Sequence, residues 1–324
     1  GLSPVDDPLA AMPEPPRPTV PGMPGGSTAA CTTSGSTVTC PPGRYTGSIS
    51  FSGNGSLVFP GGTYQLDSTV SFSGNGIVTL GPGFYYFRRG LTVSGNATIA
   101  MAPGTYVFDG SAFSIGGNAR LVLQGQPTSC SGVGQEFRLF FRNSSFTVQG
   151  NFGLQNVLPC DVLVYLNNSD FALNGNTDSV LPPGLYYFDG GTFRLQGNQT
   201  ITGQDVLFYF GPGSSFDVVG NTRYVLSGVT DPAKLPYPGM RPGLVIFQAR
   251  GNTSTLRMVG NSGAQVNGIL YVPDGTLDLR GNVSGTWARG QIIVYRFTTN
   301  GNTDIRVEYV EHVTVTRPTV WLVQ

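Results

Sequence analysis

Of the 18 acidic side chains in this 324-residue chain, three recur near successive repeats: Asp109, Asp189 and Asp217. A glycoside hydrolase needs two carboxylates facing each other across about 5–10 Å. A column of aspartates could provide them. Asp109-Gly110 and Asp189-Gly190 nevertheless read first as turns, because Asp bonds to its own backbone and Gly supplies positive φ. A lyase would want a basic residue beside clustered acids. Arg88-Arg89 is the one basic doublet, and no acid is near it in the sequence. The single histidine, His312, sits between Glu311 and Val313 without a catalytic partner, and no Gly-x-Ser-x-Gly nucleophile turn occurs. The expectation is a protein without catalytic residues and without cofactor.

The four cysteines do different work. Cys31 and Cys40 bracket a short Thr/Ser loop, and Cys130 and Cys160 bracket an irregular stretch. None has the Cys-x-x-Cys spacing of a zinc or redox site, and one histidine leaves no metal set. Three pairings are formally open. The local one, Cys31 with Cys40 and Cys130 with Cys160, is expected because each pair fences one irregularity. Disulfides place the chain outside a reducing cytosol.

What positions all these residues is a repeat. Phe-Ser-Gly-Asn-Gly occupies 51–55 and 72–76, Val-Ser-Gly-Asn follows at 93–96, and a looser copy ends at Asn118. Asn54, Asn75, Asn96 and Asn118 are thus 21, 21 and 22 residues apart. Between them Pro-Gly-x-Tyr or Pro-Gly-aromatic recurs at Pro60, Pro82 and Pro103, and again at Pro183. A fixed period of this size marks a solenoid. Each period holds three runs of β-favouring residues and three Gly, Pro or Asn corners, which is one coil of a parallel β-helix. Helical periodicity is absent. The corner continues at Asn151, Asn176, Asn198, Asn221, Asn261, Asn282 and Asn302. In a stack its amides can donate and accept along a column of like neighbours. A sugar-binding ladder is the functional alternative. Sequons such as Asn96-Ala97-Thr98 arise from the same composition.

The competing fold is an antiparallel meander or sandwich, since Asn54-Gly55, Asn75-Gly76 and Asn174-Gly175 are hairpin signals in isolation. The identical turn returning one coil later, not one strand later, favours an all-β, single-stranded parallel (right-handed) β-helix over 31–324. Insertions at a corner are expected near 126–149 and 229–242. Residues 1–30 form a separate extended arm, with eight prolines in the first 24 positions. It is either a linker or an arm lying on a neighbouring subunit. The runs 137–141, 162–166 and 206–210 are continuously apolar, as for strands buried on both faces or carrying aromatics inside and outside the coil.

Composition bounds the partners. Charged residues are 11%, against about a quarter in ordinary domains, and the net charge is zero with one lysine, Lys234. That argues against nucleic acid or an anionic membrane surface, both of which need a basic face. No run approaches 18 apolar residues, so no membrane span is expected. Gly1 in place of Met is expected at a processed end or in a piece of a longer chain.

The chain resembles the C-terminal β-helical region of TadG-like proteins, associated with tight-adherence (Flp) pilus assembly in bacteria. The likeness rests on Asp7-Pro8-Leu9-Ala10 in a Pro-rich lead-in and on the Pro-Gly-x-Tyr and Gly-Asn repeats. It also rests on the ordered series Gly243–Gln248, Gly268–Pro273, Gly290–Val294 and Val320–Val323. It implies a cell-envelope or extracellular location and no enzymatic role. Two functions follow. A structural subunit would stack head to tail through unpaired end strands, because the first coil has no helix to cover it and the last strand stays apolar. Fibres with an axial repeat of about 55–65 Å would result, from coils at about 4.8 Å. An adhesin, monomeric or pilus-associated, would instead bind glycans on the coil surface. A polysaccharide-active enzyme is the remote third.

Overall fold

The computed structural model describes residues 7–124, 137–151, 153–156, 161–259, 264–281, 284–301 and 304–308. The chain winds as a parallel β-solenoid of about 11 turns. The first coil contains β1 (Thr32–Ser34), β2 (Thr37–Thr39), β3 (Gly43–Tyr45) and β4 (Ile49–Gly53). β4 lies parallel beneath Val70–Gly74, and that strand beneath Leu91–Gly95, with Ser50, Ser71 and Thr92 in one register. All strand pairs except β1–β2 are parallel among the described residues, which excludes the meander. The one helical turn among them is a 3-10 segment, Pro232–Lys234.

The corner glycine shows why the repeat is so strict. Gly74 has φ +137°, and a Cβ there would sit 2.1 Å from the carbonyl oxygen of Gly53 one coil below. Neither the backbone conformation nor the approach tolerates a side chain.

Inside the coil, side chains stack on their own kind. Tyr64, Tyr85 and Tyr106 form a column with centroids 4.7 and 5.0 Å apart, and Phe87, Phe108 and Phe141 a second at 4.7 and 5.0 Å. The tyrosine hydroxyls explain the Pro-Gly-x-Tyr phrase. Tyr85 donates to the Gly81 carbonyl at 2.7 Å, Tyr106 to Ala102 at 2.6 Å and Tyr186 to Pro182 at 2.9 Å. Each hydroxyl satisfies a carbonyl of its own corner from inside the core, where an unpaired one would cost free energy. Coils without Pro-Gly carry Leu139, Val164 or Phe208 in this column instead.

The outer surface of the same strands is aromatic too. Tyr86, Val107, Phe140, Tyr165, Tyr187, Tyr209, Phe247 and Tyr271 lie in one register, and all are buried. The N-terminal arm covers them. Leu9 and Met12 are 5% and 8% exposed within this second cluster, together with Tyr237 and Met240 of the 229–242 insertion. The arm thus lies along its own solenoid. Two surfaces, inner and outer, account for the continuously apolar runs.

The insertion expected over 126–149 is narrower. Phe137–Arg142 stacks directly on Gly104–Asp109, and Ser145–Gly150 on Ala112–Ile115, so both belong to the ladder. The residues between Leu123 and Phe137 account for the wide step.

Candidate functional site

The three aspartates do not converge. Asp109, Arg142, Asn167 and Asp189 occupy successive rungs of one column, so the two carboxylates are three rungs, roughly 14 Å, apart. That exceeds the reach of a glycosidase pair. Each is instead in an ion pair: Asp109 with Arg142 at 2.5 Å, Asp189 with Arg17 of the arm at 2.5 Å. The Arg142 hydrogen bond holds the Asp109 carboxyl below its ordinary range, helped by the hydroxyl of Tyr86. Asp217 lies on a different face, between Arg194 and Arg257. Arg88, expected to lack an acid, is 3.6 Å from Asp67, which Arg44 also contacts at 2.7 Å. The coil brings Arg44, Asp67 and Arg88 together across distances no local reading covers. Burial alone would raise the Asp67 carboxyl, but hydrogen bonds from Gln65 and Arg44 hold it low. His312 lies outside the described residues. No group of three or more metal-binding side chains occurs among those described.

The corner asparagines form a hydrogen-bonded column. The Nδ2 of Asn75 donates to the Oδ1 of Asn54 at 3.0 Å, Asn96 to Asn75 at 2.8 Å, Asn118 to Asn96 at 2.9 Å and Asn151 to Asn118 at 3.0 Å. Asn198 donates likewise to Asn176 at 3.2 Å. Asn221 stands at the next corner, beside Gly220, which stacks on Gly197. Asn261, Asn282 and Asn302 lie outside the described residues, as do Cys130 and Cys160. Cys31 and Cys40 are disulfide-bonded.

The lower end of the solenoid is not open as the sequence suggested. β1 folds back antiparallel under β2, pinned by the disulfide. The arm returns under β3, where the amide of Ala29 donates to Arg44 O and the amide of Arg44 to Ser27 O, each at 2.9 Å. Two of the three strand edges are therefore paired. β4 is the exception: among the described residues it pairs only with Val70–Gly74 above it. On this edge Phe51 stacks on Phe72 at 5.3 Å with one face free of ring partners, and Asn54 begins the asparagine column.

The outer tyrosines were missed as functional groups. Tyr209 donates to Glu14 at 2.7 Å and Tyr271 to Asp7 at 2.5 Å, while Arg250 holds Leu9 O at 2.6 Å. Burial, then the carboxylate, raises both phenols above their ordinary value. The available signal was pairwise: acids at 7 and 14 in an arm with few charges, and unexplained tyrosines on the outward register. No model of a known protein family matches the chain, and no curated protein or solved structure matches it.

Proposed function

We propose that the protein is a non-enzymatic structural module of an extracellular or cell-surface assembly, joined to its neighbours at the lower end of the rod. The observation that carries this reading is the β4 edge, a five-residue strand at the base of the solenoid that pairs on one side only among the described residues. Such an edge templates pairing with another chain. Because β2 and β3 are already covered, the joint is a strand addition along one face, not a full coil-on-coil stack. The disulfide and the resemblance to TadG-like proteins support an exported location, and no helix among the described residues is long and apolar enough to cross a membrane. The dispersal of the aspartates into ion pairs supports a role without catalysis.

Electron microscopy of concentrated protein tests this. Rods of about 53 Å, from about 11 turns at ~4.8 Å each, are expected to join end to end. Ser50→Lys, which places a charge on the exposed side of the free edge, is expected to abolish joining while leaving circular dichroism unchanged. Discrete monomers at every concentration would remove the reading.

A further inference from the structure

The polar face that begins at β4 changes character towards the C-terminal coils. Its lower rungs are Ser50, Ser71, Thr92, Ser114 and Thr147, and its upper rungs are Arg194, Asp217, Arg257, Asp278 and Thr298. The adjoining rows add Arg280 and Arg296. Four guanidiniums thus meet two carboxylates in a chain whose net charge is zero. They line a shallow groove of about 430 Å³ that continues into a second of about 210 Å³.

The pairing within the column is loose. Arg194 and Arg257 approach Asp217 no closer than 3.7 Å, and Arg257 approaches Asp278 at 3.9 Å, so charge and not directed hydrogen bonding holds them. The inner atoms Asp217 Oδ1 and Arg257 Nε accordingly have no hydrogen-bond partner. Asp278 is the better satisfied acid, accepting from Arg280 at 2.6 Å and from Thr298 at 3.0 Å. Arg296 is exposed and has no ion pair among the described residues. The hydroxyls of Thr255 and Thr276 lie beside it on the groove wall.

We infer that this groove binds an acidic polysaccharide, its carboxylates on Arg257 and Arg296 and its hydroxyls on the threonines. This goes beyond the structural reading and is independent of it. Three features select that ligand. Surplus guanidinium in a fixed row takes carboxylates in bidentate fashion. Free threonine hydroxyls suit sugar hydroxyls. The rungs climb about 4.8 Å each, close to the length of one pyranose unit, so successive sugars of an extended chain meet successive rungs. A nucleic acid fits less well: the groove carries Asp217 and Asp278, which repel phosphates.

Binding is measured by calorimetry at low salt with the whole chain, using polygalacturonate as probe. Dextran serves as the neutral polymer, and single-stranded DNA and inorganic phosphate as other anions. Polygalacturonate is expected to bind, weakening with added salt, while dextran does not. Arg296→Gln is expected to weaken it several-fold, and Arg296→Glu at least tenfold, with unchanged circular dichroism because the side chain is exposed. Absence of polygalacturonate binding would overturn the inference. Equal binding of DNA or phosphate, or binding indifferent to both Arg296 variants, would do so as well.

Discussion

The Pro-Gly-x-Tyr phrase makes a sharp prediction at Tyr106. Its side chain is fully buried, stacked on Tyr85 at 5.0 Å and against Phe137 at 5.4 Å, with its hydroxyl on Ala102 O at 2.6 Å. Tyr106→Phe keeps both ring contacts and deletes only that donor. Leaving one partly buried carbonyl without its partner is expected to cost about 1–3 kcal/mol. Tyr106→Ala removes the rung as well and is expected to cost about 3–5 kcal/mol, since stacked coils cannot collapse into the gap. Tyr106→Leu, the side-chain type found at position 139 of the same column, is expected to fall between them. The assay is equilibrium unfolding in urea together with native-state hydrogen exchange of Gly104–Asp109. Exchange matters because a solenoid need not unfold in one step. If Tyr106→Phe is as stable as the parent, the hydroxyl does not hold the corner, and the phrase must have another origin.

Other outcomes follow from the same structure. Gly74→Val is expected to yield no native protein, because the added Cβ would lie 2.1 Å from Gly53 O; soluble yield and far-ultraviolet circular dichroism check it. Leu9→Asp combined with Met12→Asp is expected to release the arm, losing about 2–3 kcal/mol per buried side chain, read as new binding of a hydrophobic dye to the uncovered aromatic stripe. Cys31→Ser is expected to cost about 2–3 kcal/mol by the loop-entropy account. The loss should stay local: hydrogen exchange quickens in Thr37–Thr39 and not in Gly104–Asp109. Asp109 is held low by Arg142, so the folded state binds fewer protons there than the unfolded chain. Its contribution is complete above the ordinary carboxylate pKa, about 4, and is lost as pH falls through the lower folded value. Asp109→Asn is expected to flatten that part of the acid-unfolding profile.

The winding of this chain was legible because it is written locally. A Gly-Asn corner every 21 or 22 residues forces the same turn at the same place, and identical turns stack parallel. The inward register, with Tyr64, Tyr85 and Tyr106 one above another, follows from that period alone. The pairing of Cys31 with Cys40 was also within local reach.

Tertiary structure decided what the outside of the coil does. Nothing near Tyr209 or Tyr271 in sequence says that Glu14 and Asp7 accept their hydroxyl protons, because those contacts close loops of 195 and 264 residues. The sequence marked the arm as stiff and separate but not where it lies. The apolar outward stripe settles that, since its burial favours cis docking over a free linker. The end of the arm, at Ser27 and Ala29, pairs the β3 edge that the sequence left open, while the β1–β2 hairpin closes its neighbour. The Arg–Asp column escaped notice for the same reason: Arg194, Asp217, Arg257 and Asp278 are 23, 40 and 21 residues apart. The 229–242 insertion breaks the period, and only the strand register realigns them. A repeat fixes what stacks on itself; contacts between unlike segments depend on the folded surface each presents.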